Sequence, residues 1–96
     1  MDFVYINNLY DYYQKLLTEK QQQYFEDYYF NNLTLSEISD NFKISRNAVH
    51  KQIKDVENKL YDYEDKLGLL KKQEKLRKLV SNIKDEKLKK EIEELL

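Results

Sequence analysis

The 96 residues include no proline, no cysteine and a single glycine, Gly68. With so few breakers, long helices are favoured and tight β-turns lack their usual residues. Valine and threonine are scarce as well, so strand signals are poor and the chain reads as all-α. The absence of cysteine excludes disulfides and thiolate metal sites, and fits a reducing interior. No apolar run approaches the roughly 18 residues of a membrane span. The opening MDFVYINNLYDYY lacks the basic and apolar segments of a secretory signal. These features point to a soluble, cytoplasmic protein without a membrane span. A chain this short makes one domain, or a small domain with an appendage, and its limited core gains from oligomerisation.

The net charge of −1 conceals a polarity. Residues 1–42 hold two lysines, Lys15 and Lys20, against seven acids, a net of −5. Residues 43–96 hold fifteen Lys and Arg against eleven acids, a net of +4. Between Lys43 and Lys54 there are four positive charges and no acid. The field at a surface is local, so this patch favours nucleic acid although the whole chain is slightly acidic.

Helical spacing of Ile6, Leu9, Tyr13, Leu16 and Leu17 predicts a first helix over Phe3 to Leu17. Thr18 with Gln21 is a capping-box signature and starts a second helix that runs to about Phe30. Tyr24, Phe25, Tyr28 and Tyr29 supply its bulk. Asn31 and Asn32 suit a turn. Thr34 with Glu37 caps a short third helix, about Leu35 to Phe42, burying Leu35, Ile38 and Phe42. Lys43, Ile44 and Ser45 form the next turn, and Ser45 is an N-cap for a long fourth helix. There Val49, Ile53, Val56, Leu60, Tyr63, Leu67 and Leu70 make a heptad seam. Gly68 inside the seam is compatible with an end, a bend or a weakened continuation. Unbroken to Ser81, the helix would span roughly 50 Å at 1.5 Å per residue. Beyond Gly68 the apolar phase shifts to Leu69, Leu76, Val80 and Ile83. Asp85 caps a final helix with Leu88, Ile92 and Leu95 expected inward.

The stretch LTLSEISDNFKISRNAVHKQIKDVENKL, Leu33 to Leu60, has the steric pattern of a helix-turn-helix. Ser39 is small where the helices cross, Ile44 anchors the turn, and Ile38, Phe42, Val49 and Ile53 fill the buried positions. Arg46, Asn47, His50, Lys51 and Lys54 are left facing outward from the second helix, with Lys43 on the turn. Arg and Asn pair with guanine and adenine edges, and Lys suits phosphates. The same face read conservatively is a solvated surface, or a socket for an acidic protein. Lys43 stands where glycine is frequent, because the chain there can need positive φ.

Other features carry less. His50 is the only histidine and has no partners at metal spacing. Neighbouring carboxylates such as Glu26–Asp27 and Glu64–Asp65 point apart on a helix. No phosphate loop or nucleophile constellation is present, so neither enzyme nor cofactor is expected. The nine tyrosines and four phenylalanines lie mostly on apolar stripes and read as core, though stacking on bases is open to them. Tyr61 and Tyr63 are placed to pack on the first helix. The run KKQEKLRK, Lys71 to Lys78, is a solvated face or an extended track for a phosphate backbone. The seam beyond Val56 packs within the chain or pairs two copies; a homodimer would give the two-fold symmetry that operator binding needs.

With its flanks, the motif resembles the promoter-reading fourth region of bacterial sigma factors. The wider stretch from Leu9 to Leu70, with DYYQ, LLTEKQ and VENKLYDYEDKL, more closely resembles the YlxM family of low-GC Gram-positive bacteria and mycoplasmas. The resemblance implies a sigma-region-four-like helix-turn-helix bundle over residues 1–67, with a long fourth helix. Residues 68–96 would form a C-terminal helical extension. It also implies a regulatory or accessory role in the signal recognition particle pathway, from the gene neighbourhood of the particle's GTPase. Nucleic acid, either RNA or DNA, is the implied ligand, with the particle's RNA or GTPase as candidate partners. A protein adaptor without nucleic-acid contact and a DNA-binding transcriptional regulator are the alternatives.

Overall fold

The computed structural model describes residues 3–96; Met1 and Asp2, within the expected 1–67 domain, lie outside the described residues. Among the described residues six α-helices follow one another: α1 Phe3–Tyr13, α2 Glu19–Tyr29, α3 Leu35–Phe42, α4 Arg46–Leu67, α5 Leu69–Ser81 and α6 Glu86–Glu93. Among the described residues there is no strand. The first four helices gather round one core, and α5 with α6 makes a hairpin that lengthens the molecule to 56 × 25 × 23 Å.

The starts of the helices follow from side-chain oxygens. Thr18 accepts from the Gln21 N–H at 3.1 Å, and the Gln21 side chain returns a bond to the Thr18 N–H. Thr34 and Glu37 repeat this capping box before α3. Ser45 accepts from Ala48 N–H before α4, and Asp85 accepts from Leu88 N–H before α6. Each satisfies a backbone donor that the helix itself cannot. The first helix ends earlier than its apolar spacing suggests. A 3₁₀ turn over Gln14–Leu16 follows Tyr13, which leaves Leu16 more than half exposed while Leu17 turns inward.

The core holds Ile6, Leu9, Tyr10 and Tyr13 of α1, Tyr24, Phe25 and Tyr29 of α2, and Ile38 of α3. Tyr10 stacks on Phe25 with centroids 4.2 Å apart, and Tyr24 packs on Phe42 at 4.5 Å. Such pairs contribute about 0.5–1.5 kcal/mol beyond their buried area. Leu35 and Phe42 are only partly buried, on the rim of this core. The seam of α4 supplies the opposite wall: Val49, Ile53, Val56 and Leu60 are all buried by the chain's own helices. Leu60 is therefore covered and not available for pairing copies. Tyr63 is half-buried against Tyr13, Tyr61 stacks on Tyr5, and Leu67 is exposed.

The long helix stops at Gly68. Its φ of 62° and ψ of 27° are left-handed, and its N–H closes α4 on the Glu64 carbonyl at 2.8 Å. The chain then enters α5 at once, so the first N–H groups of α5 have no local side-chain cap. They are met from elsewhere. Leu69 N–H donates to the Tyr13 hydroxyl at 3.1 Å, and Leu70 and Lys71 N–H both donate to the Glu64 carboxylate at 3.1 Å. Tyr13 in turn donates to Glu64 at 2.5 Å. Burial opposes charge on Glu64, yet the bonds from Tyr13, Leu70 and Lys71 outweigh it and hold the carboxyl below its ordinary range. The same burial and hydrogen bond push the Tyr13 phenol up to about 12.

The phase shift beyond Gly68 is realised in part. Leu70 and Val80 are buried and Ile83 is half-buried, but Leu69 and Leu76 remain exposed. In α6, Ile92 is half-buried, whereas Leu88, and Leu95 just beyond the helix, are exposed, contrary to expectation. Two helices cannot enclose every leucine that each carries, and α6 packs mainly on α5.

Two predictions concern this frame. Gly68→Ala forces a Cβ into left-handed backbone with open space around it, so only the backbone term acts; it should lower unfolding stability by about 1–2 kcal/mol in urea melts. Burial and carboxylate partners raise the phenols of Tyr10, Tyr13 and Tyr29. A raised folded value means full stabilisation below the ordinary value of 10.0 and loss above it. The melting temperature should therefore fall as pH climbs from 10 towards 12, and Tyr13→Phe should flatten part of that slope.

Candidate nucleic-acid interface

Helix α4 is held at its start by three short-range devices. Lys43 takes up the left-handed turn, at φ 56° and ψ 43°, in the place where glycine is frequent. Its N–H and that of Ile44 both return to the Ser39 carbonyl, the latter at 3.1 Å. Ser39 is buried, its hydroxyl donating to the Ser36 carbonyl at 2.8 Å, which keeps the crossing of α3 and α4 close without an unmet polar group. Ile44 packs against the core from the turn. The two helices and their turn have the geometry of a helix-turn-helix.

All of Lys43, Arg46, Asn47, His50, Lys51 and Lys54 are exposed. Arg46, Asn47 and His50 are brought together in a shallow depression with Leu35 and Ser45. His50 and Lys54 border a second concavity that reaches Phe3 and Tyr28. Lys43 and Lys51 line neither. No acid lies in the first turn of α4, so the positive end of its dipole adds to Arg46.

Two of the lysines are not unaccompanied. Lys51 pairs with Asp55 at 3.4 Å, with both side chains well exposed. A pair of that kind contributes about 0–1 kcal/mol and yields easily to a phosphate. Lys54 lies 3.6 Å from the carboxylate of Glu57, whose side chain is only 6% exposed. Glu57 also accepts from the Tyr29 hydroxyl. A buried carboxylate beneath the basic face was not expected from the sequence. The signal was there in the spacing: Glu57 stands four residues after Ile53 and three before Leu60, on the buried side of α4.

No group of three or more His, Cys, Asp or Glu side chains among the described residues is placed to hold a metal ion. No described helix is long and apolar enough to cross a membrane.

Comparison with known proteins agrees with the geometry, which first defines the chain as a helix-turn-helix protein. Residues 2–96 match the family UPF0122, described as "Putative helix-turn-helix protein, YlxM / p13 like", and the chain belongs to that family. A UPF0122 protein of Caldanaerobacter subterraneus is 46% identical over 84 residues, covering 88% of this chain and 72% of that protein. One of Geobacillus kaustophilus is 45% identical over 80 residues, 83% of this chain and 73% of that protein. One of Fusobacterium nucleatum is 41% identical over 95 residues, covering 99% and 92% respectively.

The presentation of the face depends on the cap. Ser45→Ala removes the acceptor for Ala48 N–H, and should cost about 1 kcal/mol in thermal or urea unfolding. Ser45→Asp should restore most of it.

Proposed function

We propose that this chain is a nucleic-acid-binding regulatory or accessory protein that acts through the outer face of α4. The observation that carries the reading is the exposed set Arg46, Asn47, His50, Lys51 and Lys54 at the start of a capped helix, with Lys43 on its turn. Membership of a family described as helix-turn-helix supports it. Arg46 and Asn47 are the candidates for base edges, and the lysines for phosphates. A place in the signal recognition particle pathway, with the particle's RNA or GTPase as partner, rests on the YlxM resemblance alone. Residues 68–96 are assigned to an extension of the binding domain. We assign no residue a catalytic role.

A second reading, a protein adaptor, has one observation in its favour. The α5–α6 hairpin exposes Leu69, Leu76, Leu79, Leu88 and Leu95. Leu60 of α4 is buried and offers no such surface. Any pairing of two copies must also use a surface other than the buried part of the seam.

Gel shifts at low salt test the main reading, with the particle's RNA and with promoter DNA from upstream of the protein's own gene as probes. Arg46→Ala with Lys51→Ala should weaken binding by roughly ten-fold or more and reduce the salt slope by about the number of lost phosphate contacts. Binding untouched by both substitutions, or no binding by the parent protein, refutes it. Partner recovery from lysate that survives nuclease and salt would favour the adaptor.

A further inference from the structure

The second concavity beside the basic face has a chemistry that duplex contact would leave idle. Phe3 of α1 and Tyr28 and Tyr29 of α2 supply its aromatic lining, and His50, Lys54 and Glu57 of α4 its polar lining. Phe3 meets Tyr29 edge-on with centroids 5.5 Å apart, and Tyr28 stands nearly perpendicular to Tyr29 at 5.1 Å. The cleft holds about 130 Å³, close to the cavity of about 150 Å³ that admits one benzene ring. At its inner end one oxygen of Glu57 accepts from the Tyr29 hydroxyl and the other lies 3.6 Å from the Lys54 ammonium. At its mouth His50 continues into the depression lined by Arg46 and Asn47.

We propose that this cleft receives an unpaired pyrimidine base of a single strand laid along the basic face, and that it prefers cytosine to uracil. The proposal rests on the nucleic-acid reading above and narrows its ligand. Aromatic walls offer a stacking surface to one flat ring, and the volume suits a single six-membered ring. Each carboxylate oxygen has lone pairs beyond its present partner, so Glu57 can accept from the amino group on cytosine C4. Uracil carries a carbonyl at that position and would set oxygen against carboxylate. Lys54, on the same rim, can donate to the ring carbonyl. A base inside a duplex has its pairing edge engaged and its faces stacked, so it cannot enter; the strand must be single or looped at that point.

The test is fluorescence anisotropy of the full chain with labelled twelve-residue oligocytidine and oligouridine RNA, oligodeoxycytidine, and a DNA duplex of equal length. Oligocytidine should bind about ten-fold or more tighter than oligouridine, within the range that one stacked and hydrogen-bonded base supplies. Equal binding of the ribo and deoxy strands would place the recognition in the base, and tighter ribo binding would add the sugar; either agrees with the proposal. Phe3→Ala, at a ring more than half exposed, should weaken single-strand binding about five-fold or more and leave the duplex unchanged. Glu57→Gln, which can turn an amide N–H towards the uracil carbonyl, should reverse the preference. Circular dichroism melts establish that each variant is folded, and if Glu57→Gln is not, Phe3→Ala decides. If duplex and single strands bind alike, the parent shows no preference for cytosine and Arg46→Ala weakens all of them, the proposal falls while the nucleic-acid reading stands. If nothing binds at low salt, both fall.

Discussion

The hydroxyl of Tyr13 and the carboxylate of Glu64 together solve a problem that the left-handed turn at Gly68 creates. A helix that begins one residue after another ends has no room for a cap of its own. Its first donors would face a partly buried corner without partners, a cost of about 1–3 kcal/mol for each unmet group. Tyr13 reaches from α1 and Glu64 from α4, and between them they take the N–H groups of Leu69, Leu70 and Lys71. The direction of α5, and with it the hairpin that α6 completes, follows from that junction. Leu70 then closes the same core that Leu60 and Tyr13 begin.

The same logic recurs deeper in the bundle. Tyr10 donates to Glu26, Tyr12 to Gln73 and Tyr29 to Glu57. In each case the ring body packs at or beside the core while its hydroxyl reaches a side-chain oxygen on a different helix. Tyrosines as deeply buried as Tyr10, Tyr13 and Tyr29 would be hard to accommodate without such acceptors, because a phenol loses its water on burial. The tyrosines of the first two helices thus find their acceptors in both halves of the sequence, at Glu26 in the acidic half and at Glu57, Glu64 and Gln73 in the basic one. Glu57 is the case with a consequence for binding: one carboxylate is tied to α2 through Tyr29 and to the basic face through Lys54. The inner packing of α4 and its outer chemistry are joined at that residue.

Local patterns made much of the fold legible. The caps at Thr18, Thr34, Ser45 and Asp85 act within one turn, so neighbouring residues suffice to find them. Helix α3 starts directly after its cap Thr34 for this reason. The helix-turn-helix could be read because Ser39, Ile44 and the outward basic set lie within one continuous stretch. The exposure of Leu16 has no trace in the periodicity, which does not reveal where a helix tightens into a 3₁₀ turn. Leu88 and Leu95 were expected inward because apolar spacing records a capacity for burial; it does not supply the surface that would cover them. At the site, exposure of the six expected residues was foreseeable, but the carboxylates of Asp55 and Glu57 beside Lys51 and Lys54 lay outside the window that had looked free of acids.

By itself, the sequence determined the all-helical class, the capped starts of α2, α3, α4 and α6, and the concentration of positive charge on one face of α4, since propensity, capping and charge act over a few residues. Only the tertiary structure decided whether Gly68 would end the long helix or merely bend it. It also decided that the seam from Val49 to Leu60 is consumed inside the chain, and that an aromatic cleft opens beside the basic face. Those outcomes depend on which distant groups meet, such as Tyr13 with Glu64 or Tyr29 with Glu57, and contacts between residues 51 or 28 positions apart leave no periodic trace in the chain.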